Sequence, residues 1–258
     1  MNFTNRHVIV TGASTGIGLA TAEMLAARGA KVSLIARTRA TLDAAVASIT
    51  AAGGTAQAFP ADVADRAALA VAIVAAEAMY GPADGLFANA GFGGEFGPFE
   101  AVSDANWDAL IGTNLTSVMV SIRSVLGGMK ARNRGSIVVT GSLASERGMP
   151  MNAGYVASKH GVLGLARAAA IEAAPHGVRV NCMVPGFIET PLLHGIAGGD
   201  VAGTMAAMGK GVPQGRVDQP QECAELVCFL LSDAAGHVTA QSIAVDGGIL
   251  GTLVPGHD

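Results

Sequence analysis

The sequence predicts an α/β fold in which a doubly wound parallel sheet of about seven strands carries helices on both faces. Short apolar segments rich in β-branched residues alternate along the chain with helical patterns of ten or more residues. Because parallel strands are joined by crossovers that are usually helices, this alternation is typical of such a sheet. Half of the 258 residues are apolar and only 14% are charged, so many helices must be covered on more than one side. A sheet between two helical layers provides that cover.

The strands and helices are predicted in regular succession. Seven strands are predicted, at residues 6–11, 31–36, 55–60, 85–89, 136–140, 178–184 and 242–245. Six helices are predicted, at residues 17–28, 42–52, 67–80, 107–129, 155–174 and 221–231. The stretch at about 187–215 is rich in glycine and small residues, and an irregular segment of this length inside a compact domain is usually functional. We therefore expect one domain over residues 1–258, with a substrate flap at about 187–215.

The composition argues against several classes of function. The formal net charge is −4 and no basic stripe is present, which argues against nucleic acid or an anionic membrane as partner. Residues 1–5 are polar, so no signal peptide is predicted, and the apolar stretch 67–79 is too short to span a bilayer. Three cysteines without metal-ligand spacing fit a reducing compartment: Cys182, Cys223 and Cys228. We predict a cytoplasmic protein with buried, unreactive thiols and no metal site.

Tyr155 and Lys159 form the most informative pair in the chain. If this segment is helical, side chains four positions apart leave the same face one turn apart. A phenol ordinarily ionises near pH ~10, and a nearby ammonium favours the phenolate, which makes a tyrosine useful as an acid or base at neutral pH. A YxxxK spacing by itself is also common on helix surfaces, so the pair needs support from the rest of the chain.

A glycine-rich segment joins the first strand to the first helix, with the sequence Thr11-Gly12-Ala13-Ser14-Thr15-Gly16-Ile17-Gly18. In that position glycines let the backbone approach a pyrophosphate while the amino end of the helix faces its negative charge. The spacing is GxxxGxG and differs from the common GxGxxG fingerprint. The segment predicts a dinucleotide site, although a tight joint between strand and helix would use glycines as well.

The charge at the end of the second strand predicts which dinucleotide binds. An enzyme that uses NAD usually carries an acid there for the ribose hydroxyl groups, whereas this chain has Arg37, with Arg39 close behind it. A guanidinium pairs well with the 2′-phosphate of NADP(H), which a carboxylate would repel. We therefore predict NADP(H), with NAD(H) as the alternative if both arginines are merely solvated at the start of a helix.

Taken together, the motifs resemble those of the short-chain dehydrogenase/reductase family, in its single-domain branch, over essentially the whole chain. They are TGASTGIG at 11–18, Asp62-Val63, Asn89-Ala90-Gly91, Asn114, Ser142, YVASK at 155–159, Pro185-Gly186 with Thr190, and Asp246-Gly247-Gly248. The resemblance implies a Rossmann-like fold and hydride transfer between C4 of a nicotinamide and a carbinol carbon. It also implies an assembly, since relatives are often homotetramers that pair their long helices.

The resemblance assigns four catalytic residues. Tyr155 is implied to be the general acid in reduction and the general base in oxidation, and Lys159 to favour its ionised form and bind the nicotinamide ribose. Ser142 is implied to donate to the substrate oxygen, and Asn114 to anchor a water that extends the proton path. From the residues alone, Ser142 could also be a turn residue, and Asn114 could be a core amide or mark a helix kink.

The resemblance also assigns the cofactor contacts. Asn89-Ala90-Gly91 is implied to flank the adenosine half and Asp62-Val63 to lie near the adenine, while Ile188 and Thr190 are implied to bind the nicotinamide carboxamide. The full set of implied contacts is Gly12, Ser14, Thr15, Gly16, Ile17, Gly18, Arg37, Asp62, Val63, Asn89, Ala90, Gly91, Tyr155, Lys159, Pro185, Gly186, Ile188 and Thr190.

Two positions depart from the family pattern. Thr15 stands where many NADP-dependent relatives carry a basic residue, which weakens the prediction of NADP(H). Ala240 replaces a common glycine in a turn near the carboxyl terminus, where we expect only a local effect.

Apolar side chains predict the kind of substrate. The segments 92–99 and 143–151 and the flap from 187 onward are the expected substrate walls, and they contribute methionines and other apolar side chains. These side chains are Phe92, Phe96, Met149, Met151, Leu192, Leu193, Ile196, Met205 and Met208. We predict a hydrophobic or bulky small-molecule carbonyl compound or alcohol, although several of these side chains could simply pack the flap.

Three other functions stay open. One is an NAD(H)-dependent alcohol dehydrogenase that works in the oxidative direction. Another is a 3-oxoacyl reductase, which needs basic residues at the mouth of the site for an acidic acyl carrier; the candidates are Arg132, Arg134 and His176. The third is a regulator that binds the cofactor without turnover, and the four intact catalytic residues argue against it.

Overall fold

The computed structural model describes residues 1–196 and 199–253. Within them, seven strands form one parallel sheet in the order β3-β2-β1-β4-β5-β6-β7. The strands are β1 (His7–Thr11), β2 (Lys31–Ala36), β3 (Thr55–Pro60), β4 (Gly85–Ala88), β5 (Gly135–Thr140), β6 (Val178–Pro185) and β7 (Ser242–Val245). Each end lies within one residue of the predicted one. The structure confirms the predicted fold class.

The strand order reverses between β1 and β4. From β1 the chain builds outward through β2 and β3, and it then returns to the other side of β1 and continues from β4 to β7. In such sheets the reversal opens a crevice at the carboxyl ends of the two central strands, where ligands bind. Thr11 pairs in register with Ile35 on one side and Ala88 on the other, so the strand ends that border this crevice are level.

Nine α-helices lie in the described part of the chain. They are α1 (Gly16–Ala27), α2 (Arg39–Ala51), α3 (Arg66–Tyr80), α4 (Asp104–Leu110), α5 (Ser117–Ala131), α6 (Ala153–Ala173), α7 (Pro191–Ile196), α8 (Val201–Lys210) and α9 (Pro220–Leu231). Helices α3, α5 and α6 pack on one face of the sheet, and α1, α2 and α9 pack on the other.

Most residues of the central strands are apolar because both faces of the sheet are covered. In β1, Ile9 lies in the core beneath α3, α5 and α6, whereas Val8 and Val10 lie in the core beneath α1, α2 and α9. In β5, Val139 and Val138 divide in the same way. A strand buried on both faces reads as a continuous apolar run, which is why these strands were recognisable from the sequence.

The predicted helix at 107–129 is part of a longer helix with a π-helical segment inside it. Residues Ile111–Thr116 join α4 to α5, and the backbone N–H of Ser117 donates to the carbonyl of Gly112. A π-turn accommodates one extra residue and is often found at functional sites. By length and composition the stretch Asp104–Ala131 could cross a bilayer, but its apolar side lies in the core of the sheet, including Val118, Ile122 and Val125.

The segment at 187–215 is not irregular throughout, contrary to the prediction. It contains α7 and α8, and residues 197 and 198 between them lie outside the described part. The carboxylate of Asp200 caps α8 by accepting from the N–H of Gly203 at 2.9 Å. Glycine is a weak helix former, so the helical pattern was hidden in the sequence. A Cβ on Gly209 would lie 3.2 Å from the Cα of Arg216, so close backbone packing explains that glycine.

The three cysteines are buried and free. Burial raises the pKa of Cys182 to about 11 and the pKa values of Cys223 and Cys228 to about 12. A thiol that stays protonated at neutral pH is a poor nucleophile, in agreement with the predicted unreactive thiols.

Ala240 has a left-handed backbone, with a φ of 61°. Its N–H donates to the carbonyl of Val180 at 2.8 Å, so the turn before β7 is tied to β6. A Cβ makes this conformation costly, which explains why the position suits glycine.

We expect Ala240→Gly to raise the free energy of unfolding by about 0.5–1 kcal/mol, because glycine adopts this backbone without the steric cost of a Cβ. Chemical denaturation measures the change. The matched control is Ala47→Gly on the exposed side of α2, which we expect to lower the free energy of unfolding by about 1 kcal/mol. Equal losses in both variants would contradict the assignment of strain to Ala240.

A buried histidine joins three segments at the amino-terminal edge of the sheet. The ring of His7 is bonded through Nδ1 to the carbonyl of Gly81 at 2.7 Å and through Nε2 to the hydroxyl of Ser33 at 2.8 Å. A carbonyl only accepts, so Nδ1 carries the proton and Nε2 accepts from Ser33. Burial is the main effect on this ring, and it lowers the pKa of His7 below its usual value.

We expect the stability to fall as the pH drops below about 6.5, because the unfolded histidine binds a proton there and the folded ring resists it. The contribution of neutral His7 is present in full above that pH and disappears as the pH approaches the lowered folded pKa. Thermal unfolding between pH 7 and pH 5 should therefore show a smaller loss for His7→Asn than for the wild type. His237→Asn is the control, because His237 is exposed. If the stability of His7→Asn depends on pH as that of the wild type does, His7 is not responsible for the loss.

Candidate active site

A cleft of about 600 Å³ lies at the carboxyl ends of the strands. Residues that directly follow or end β1 to β6 line it, as the reversal of strand order requires. Fifteen of the residues implied as cofactor contacts lie on its wall: Gly12, Ser14, Thr15, Gly16, Ile17, Arg37, Asp62, Val63, Asn89, Ala90, Gly91, Tyr155, Lys159, Pro185 and Thr190. Two of the implied catalytic residues, Tyr155 and Lys159, are therefore on the same wall as the glycine-rich loop.

The glycine-rich loop has no room for a side chain at Gly12 or at Gly16. Gly12 and Gly16 have φ values of 65° and 54°. A Cβ on Gly12 would lie 2.9 Å from the Cα of Ala90, and one on Gly16 would lie 3.2 Å from Cγ2 of Thr190. The first turn of α1 holds no acidic residue, and Thr15 at its N-cap makes no capping bond through its side chain. The free backbone amides at this helix end suit the pyrophosphate of a dinucleotide.

Three implied cofactor contacts lie beside the cleft and not on its wall. A Cβ on Gly18 would lie 2.7 Å from Nδ2 of Asn89, and one on Gly186 would lie 2.7 Å from the Cα of Asp246. Close packing of segments therefore explains both glycines. Ile188 is buried and forms an isolated bridge with Asp218.

A hydrogen-bond network holds the ends of β1, β4 and β5 together. The hydroxyl of Thr11 accepts from the backbone N–H groups of Asn89 and Ala90 at 3.0 and 3.2 Å. The side-chain amide of Asn89 donates to the carbonyls of Thr11 and Gly12 at 3.3 and 3.4 Å. Its Oδ1 accepts from the hydroxyl of Thr140 at 3.1 Å. The central floor of the cleft is thus cross-linked before any ligand binds.

Arg37 and Arg39 differ in their surroundings. Arg39 donates to both carboxylate oxygens of Asp43, at 2.8 and 2.9 Å, one turn along α2. Arg37 is exposed at the cleft and makes no ion pair or hydrogen bond within residues 1–196 and 199–253. Of these two arginines, Arg37 is the one available for an anionic ligand at the cleft. Thr38 also lines the cleft here, and no motif in the sequence pointed to it.

Tyr155 and Lys159 lie in the first two turns of α6, as their spacing predicted. Lys159 is 4% exposed, and its Nζ donates to the carbonyl of Thr140 at 2.9 Å. The same Nζ lies 5.7 Å from the centre of the Tyr155 ring. An ammonium has three donors, so two remain for a ligand or a water in the cleft. The sequence could not indicate the carbonyl of Thr140 as a partner of Lys159, because side-chain patterns do not show where backbone acceptors point.

Asn114 lies in the π-helical segment and is fully buried. Its amide exchanges two hydrogen bonds of 3.0 Å with the backbone of Phe92, and its Nδ2 also donates to the hydroxyl of Ser158 at 3.3 Å. A Cβ on Gly91 would lie 3.2 Å from Oδ1 of Asn114 and 3.6 Å from Nζ of Lys159. Asn114 thus lies directly behind the cleft wall, and the partners of this amide are distant in sequence.

Ser142 caps a short 3₁₀ turn after β5. Its Oγ accepts from the N–H of Ala144 at 3.2 Å, and its own N–H donates to the hydroxyl of Ser145 at 3.1 Å. It is half-buried and does not lie on the wall of the cleft. Ser142 therefore has the structural role in a turn that the sequence left open. Because the Oγ is used there as an acceptor, the hydroxyl proton remains available for donation.

Large apolar side chains remain exposed beside the cleft. Leu192 lines the cleft and is 46% exposed, and Phe96 and Met151 are 52% and 51% exposed. The N–H of Gly97 donates to the carbonyl of Met151 at 2.8 Å, so the loops that carry Phe96 and Met151 are adjacent. Monomeric proteins rarely expose clustered apolar surface without a function, so these side chains fit the mouth of a site for an apolar ligand.

The basic residues considered for an acyl carrier lie at the opposite edge of the sheet. Arg132 and Arg134 follow α5 and precede β5, and His176 precedes β6. Arg134 pairs with Asp84 at 3.3 Å. The cleft is at the other ends of these strands, so this interpretation of the three residues was wrong. Sequence spacing could not reveal it, because both edges of a sheet are rich in loops.

The residues present fit a nicotinamide dinucleotide. The cleft holds a glycine-rich loop at a helix amino terminus, an available guanidinium at the end of β2, and a Tyr–Lys pair in the first two turns of α6. Among the described residues, no group of three or more histidine, cysteine, aspartate or glutamate side chains could hold a metal ion.

Comparison with known proteins agrees with this geometry. A family model described as enoyl-(acyl carrier protein) reductase matches residues 12–250. Levodione reductase of Leifsonia aquatica is 36% identical over 252 residues, which cover 95% of this chain and 94% of that protein. Cyclohexanol dehydrogenase of Acinetobacter sp. (strain SE19) is 38% identical over 245 residues, which cover 95% of each chain.

Solved structures extend the comparison to three dimensions. The crystal structure of levodione reductase superposes with a TM-score of 0.92 at 36% identity, covering 96% of this chain and 98% of that one. The crystal structure of a variant actinorhodin polyketide ketoreductase with NADPH superposes with a TM-score of 0.91 at 34% identity, covering 96% and 98%. With its motifs, fold and sequence agreement in accord, the chain belongs to the short-chain dehydrogenase/reductase family of oxidoreductases.

Proposed function

We propose that this protein is an NADP(H)-dependent oxidoreductase that interconverts a carbonyl and a secondary alcohol on a hydrophobic or bulky small molecule. The observation that carries the proposal is the placement of Tyr155 and Lys159 together on the cleft wall, with Lys159 anchored to the carbonyl of Thr140. Relatives named for levodione reduction and cyclohexanol oxidation support this reaction type.

The dinucleotide, when bound, supplies the hydride or accepts it. Its pyrophosphate would be held by the backbone of the loop 12–16, and its 2′-phosphate by Arg37. Asp62 and Val63 would flank the adenine, and Asn89 with its neighbours Ala90 and Gly91 the adenosine. At the other end, the segment 185–190 would hold the nicotinamide, with Pro185 and Thr190 on the cleft wall.

The protein moves a proton at the substrate oxygen. In reduction, the hydroxyl of Tyr155 gives its proton to that oxygen, and in oxidation the phenolate takes the proton back. Ser142 donates its hydroxyl proton in a hydrogen bond to the same oxygen as negative charge develops there. Lys159 keeps a positive charge beside Tyr155, and its two remaining N–H groups bind the ribose and continue the proton path. Asn114 anchors a water on that path.

We expect the wild-type protein to oxidise NADPH in the presence of apolar ketones, and Tyr155→Phe to lower kcat by about 10³-fold because the acid is lost. Affinity for the dinucleotide, measured by fluorescence titration, should be retained. A panel of aliphatic, aromatic, steroidal and β-keto carbonyl compounds identifies the substrate class. Tyr80→Phe is the matched control, since Tyr80 is the other of the two tyrosines in the chain and lies at the far end of α3.

Two outcomes would overturn the function. Unchanged turnover in Tyr155→Phe would remove Tyr155 as the acid. Tight dinucleotide binding without turnover of any carbonyl or alcohol would favour the regulator.

We expect Arg37→Asp to lower the preference for NADPH over NADH, as the ratio of kcat/KM values, by about 100-fold. The change removes the cation and adds a charge that repels the 2′-phosphate, and Thr15 offers no replacement cation in the loop. Arg39→Asp is the matched control two residues away, since Arg39 is already paired with Asp43. An unchanged preference in Arg37→Asp would favour the NAD(H)-dependent alcohol dehydrogenase.

We also propose that the protein is a cytoplasmic homotetramer. Between α5 and α6 lies an open groove of about 390 Å³ lined by Met119, Ile122, Leu126 and Leu165, with Arg123, Lys130 and Glu172 at its border. A second copy related by a two-fold axis would cover the same groove on both molecules. Free buried cysteines fit a reducing compartment.

A further inference from the structure

Asn152 connects the helix of the general acid to the loop that follows β4. It is 3% exposed, and its side chain bonds in two directions. Its Oδ1 accepts from the backbone N–H of Tyr155 at 3.3 Å, so it caps the amino end of α6. Its Nδ2 donates to the carbonyl of Gly93 at 2.7 Å. One buried amide therefore holds both the residue that moves the proton and a segment beside the cleft.

The loop 91–97 has little structure of its own. Its sequence is Gly-Phe-Gly-Gly-Glu-Phe-Gly, and it forms no helix or strand. Its four glycines make such a segment costly to order, because glycine loses the most backbone freedom on folding. Its position must come from contacts with other parts of the protein.

Those contacts are made at four points. The backbone of Phe92 is held by Asn114, the carbonyl of Gly93 by Asn152, the backbone of Glu95 by Asn106, and the N–H of Gly97 by the carbonyl of Met151. Among these four partners, Asn152 is the one whose side chain also bonds directly to Tyr155.

The backbone before Asn152 is strained. Met151 has a φ of 66°, a left-handed conformation that a long side chain rarely adopts. Such strain persists only where the surrounding structure requires the geometry, and it is concentrated at functional sites. Here it turns the chain so that the carbonyl of Met151 meets Gly97 while the side chain of Asn152 reaches Gly93.

We propose that Asn152 is a positioning residue that sets the distance between the substrate-facing loop 91–97 and the hydroxyl of Tyr155. The proposal rests on the proposed function. Displacement of a substrate by about 1 Å costs up to about 100-fold in rate, so this link controls productive binding of the carbonyl compound. Neither Asn152 nor Gly93 lines the cleft, so we expect a loss of the link to affect dinucleotide binding much less than turnover.

Two substitutions at Asn152 remove the hydrogen bond to Gly93 but keep the cap at the amino end of α6. Asn152→Asp keeps a capping oxygen and the side-chain length, but it replaces the donor to Gly93 with an acceptor. Asn152→Ser keeps a capping oxygen without adding charge and is too short to reach Gly93. For both variants we expect kcat/KM for the carbonyl substrate to fall about tenfold or more, with the dissociation constant of NADPH within about twofold.

Ser232→Ala is the control for a loss of stability alone. Ser232 is a buried polar capping residue like Asn152, because its Oγ accepts from the N–H of Ala234 at 3.3 Å, but it follows α9 at the opposite edge of the sheet. We expect this variant to lower the melting temperature and to leave the kinetic constants for both substrates within about twofold.

Hydrogen exchange at the amides of 92–97 tests the link without relying on turnover. The proposal requires faster exchange in Asn152→Ser than in Ser232→Ala, together with the selective fall in kcat/KM. If exchange at these amides is the same in Asn152→Ser as in Ser232→Ala, the proposal is overturned, whatever the activity of the variant. If exchange is faster but kcat/KM is unchanged, Asn152 is only a structural cap and not a positioning residue. If the wild type shows no turnover but the exchange difference is present, the proposed function and the kinetic role of Asn152 are both contradicted. The structural link between Asn152 and the loop 91–97 would still be established.

Discussion

The contact between the ammonium of Lys159 and the carbonyl of Thr140 is the interaction on which the cleft depends. A lysine that is 4% exposed needs a partner, because a buried charge without one is strongly destabilising. Thr140 is the last residue of β5, and its carbonyl at 2.9 Å supplies that partner. The contact therefore docks α6 against the carboxyl edge of the sheet. It also fixes where Tyr155 lies, since one helical turn connects the two residues.

The arrangement behind the cleft wall follows from the same need to satisfy buried polar groups. Asn114 is fully buried, and each of its polar atoms has a partner in the loop after β4 or in α6. Gly91 lies between Asn114 and Lys159, where a side chain would meet both. The π-helical segment places the amide there because an extra residue in one turn shifts the helix register. Lys159 and Asn114 thus lie close together behind Gly91, and Lys159 is one helical turn from Tyr155.

The two sides of the cleft are held by different kinds of contact. At the ends of β1, β4 and β5, Thr11 and Asn89 cross-link neighbouring strands of the sheet through five hydrogen bonds. The loop 91–97 is held by the side chains of Asn106, Asn114 and Asn152 and by a backbone bond to Met151. Binding of a common dinucleotide benefits from a preformed site. In a loop whose position depends on side chains of other segments, single substitutions at those side chains change the shape of the cleft.

The sequence by itself determined the strands, most helices and many of the residues that face the cleft, because these depend on local periodicity and on short motifs such as the loop 11–18 and the pair Tyr155 and Lys159. It did not reveal α7 and α8, because both contain glycine, a weak helix former. It also did not reveal the edge of the sheet on which Arg132, Arg134 and His176 lie. The partners of Asn114, Lys159 and Asn152 are backbone groups distant in sequence. Only the tertiary structure decided these partners, because every residue has the same backbone donor and acceptor groups, so the sequence does not distinguish them. The register of the strands and the packing of α6 bring them together.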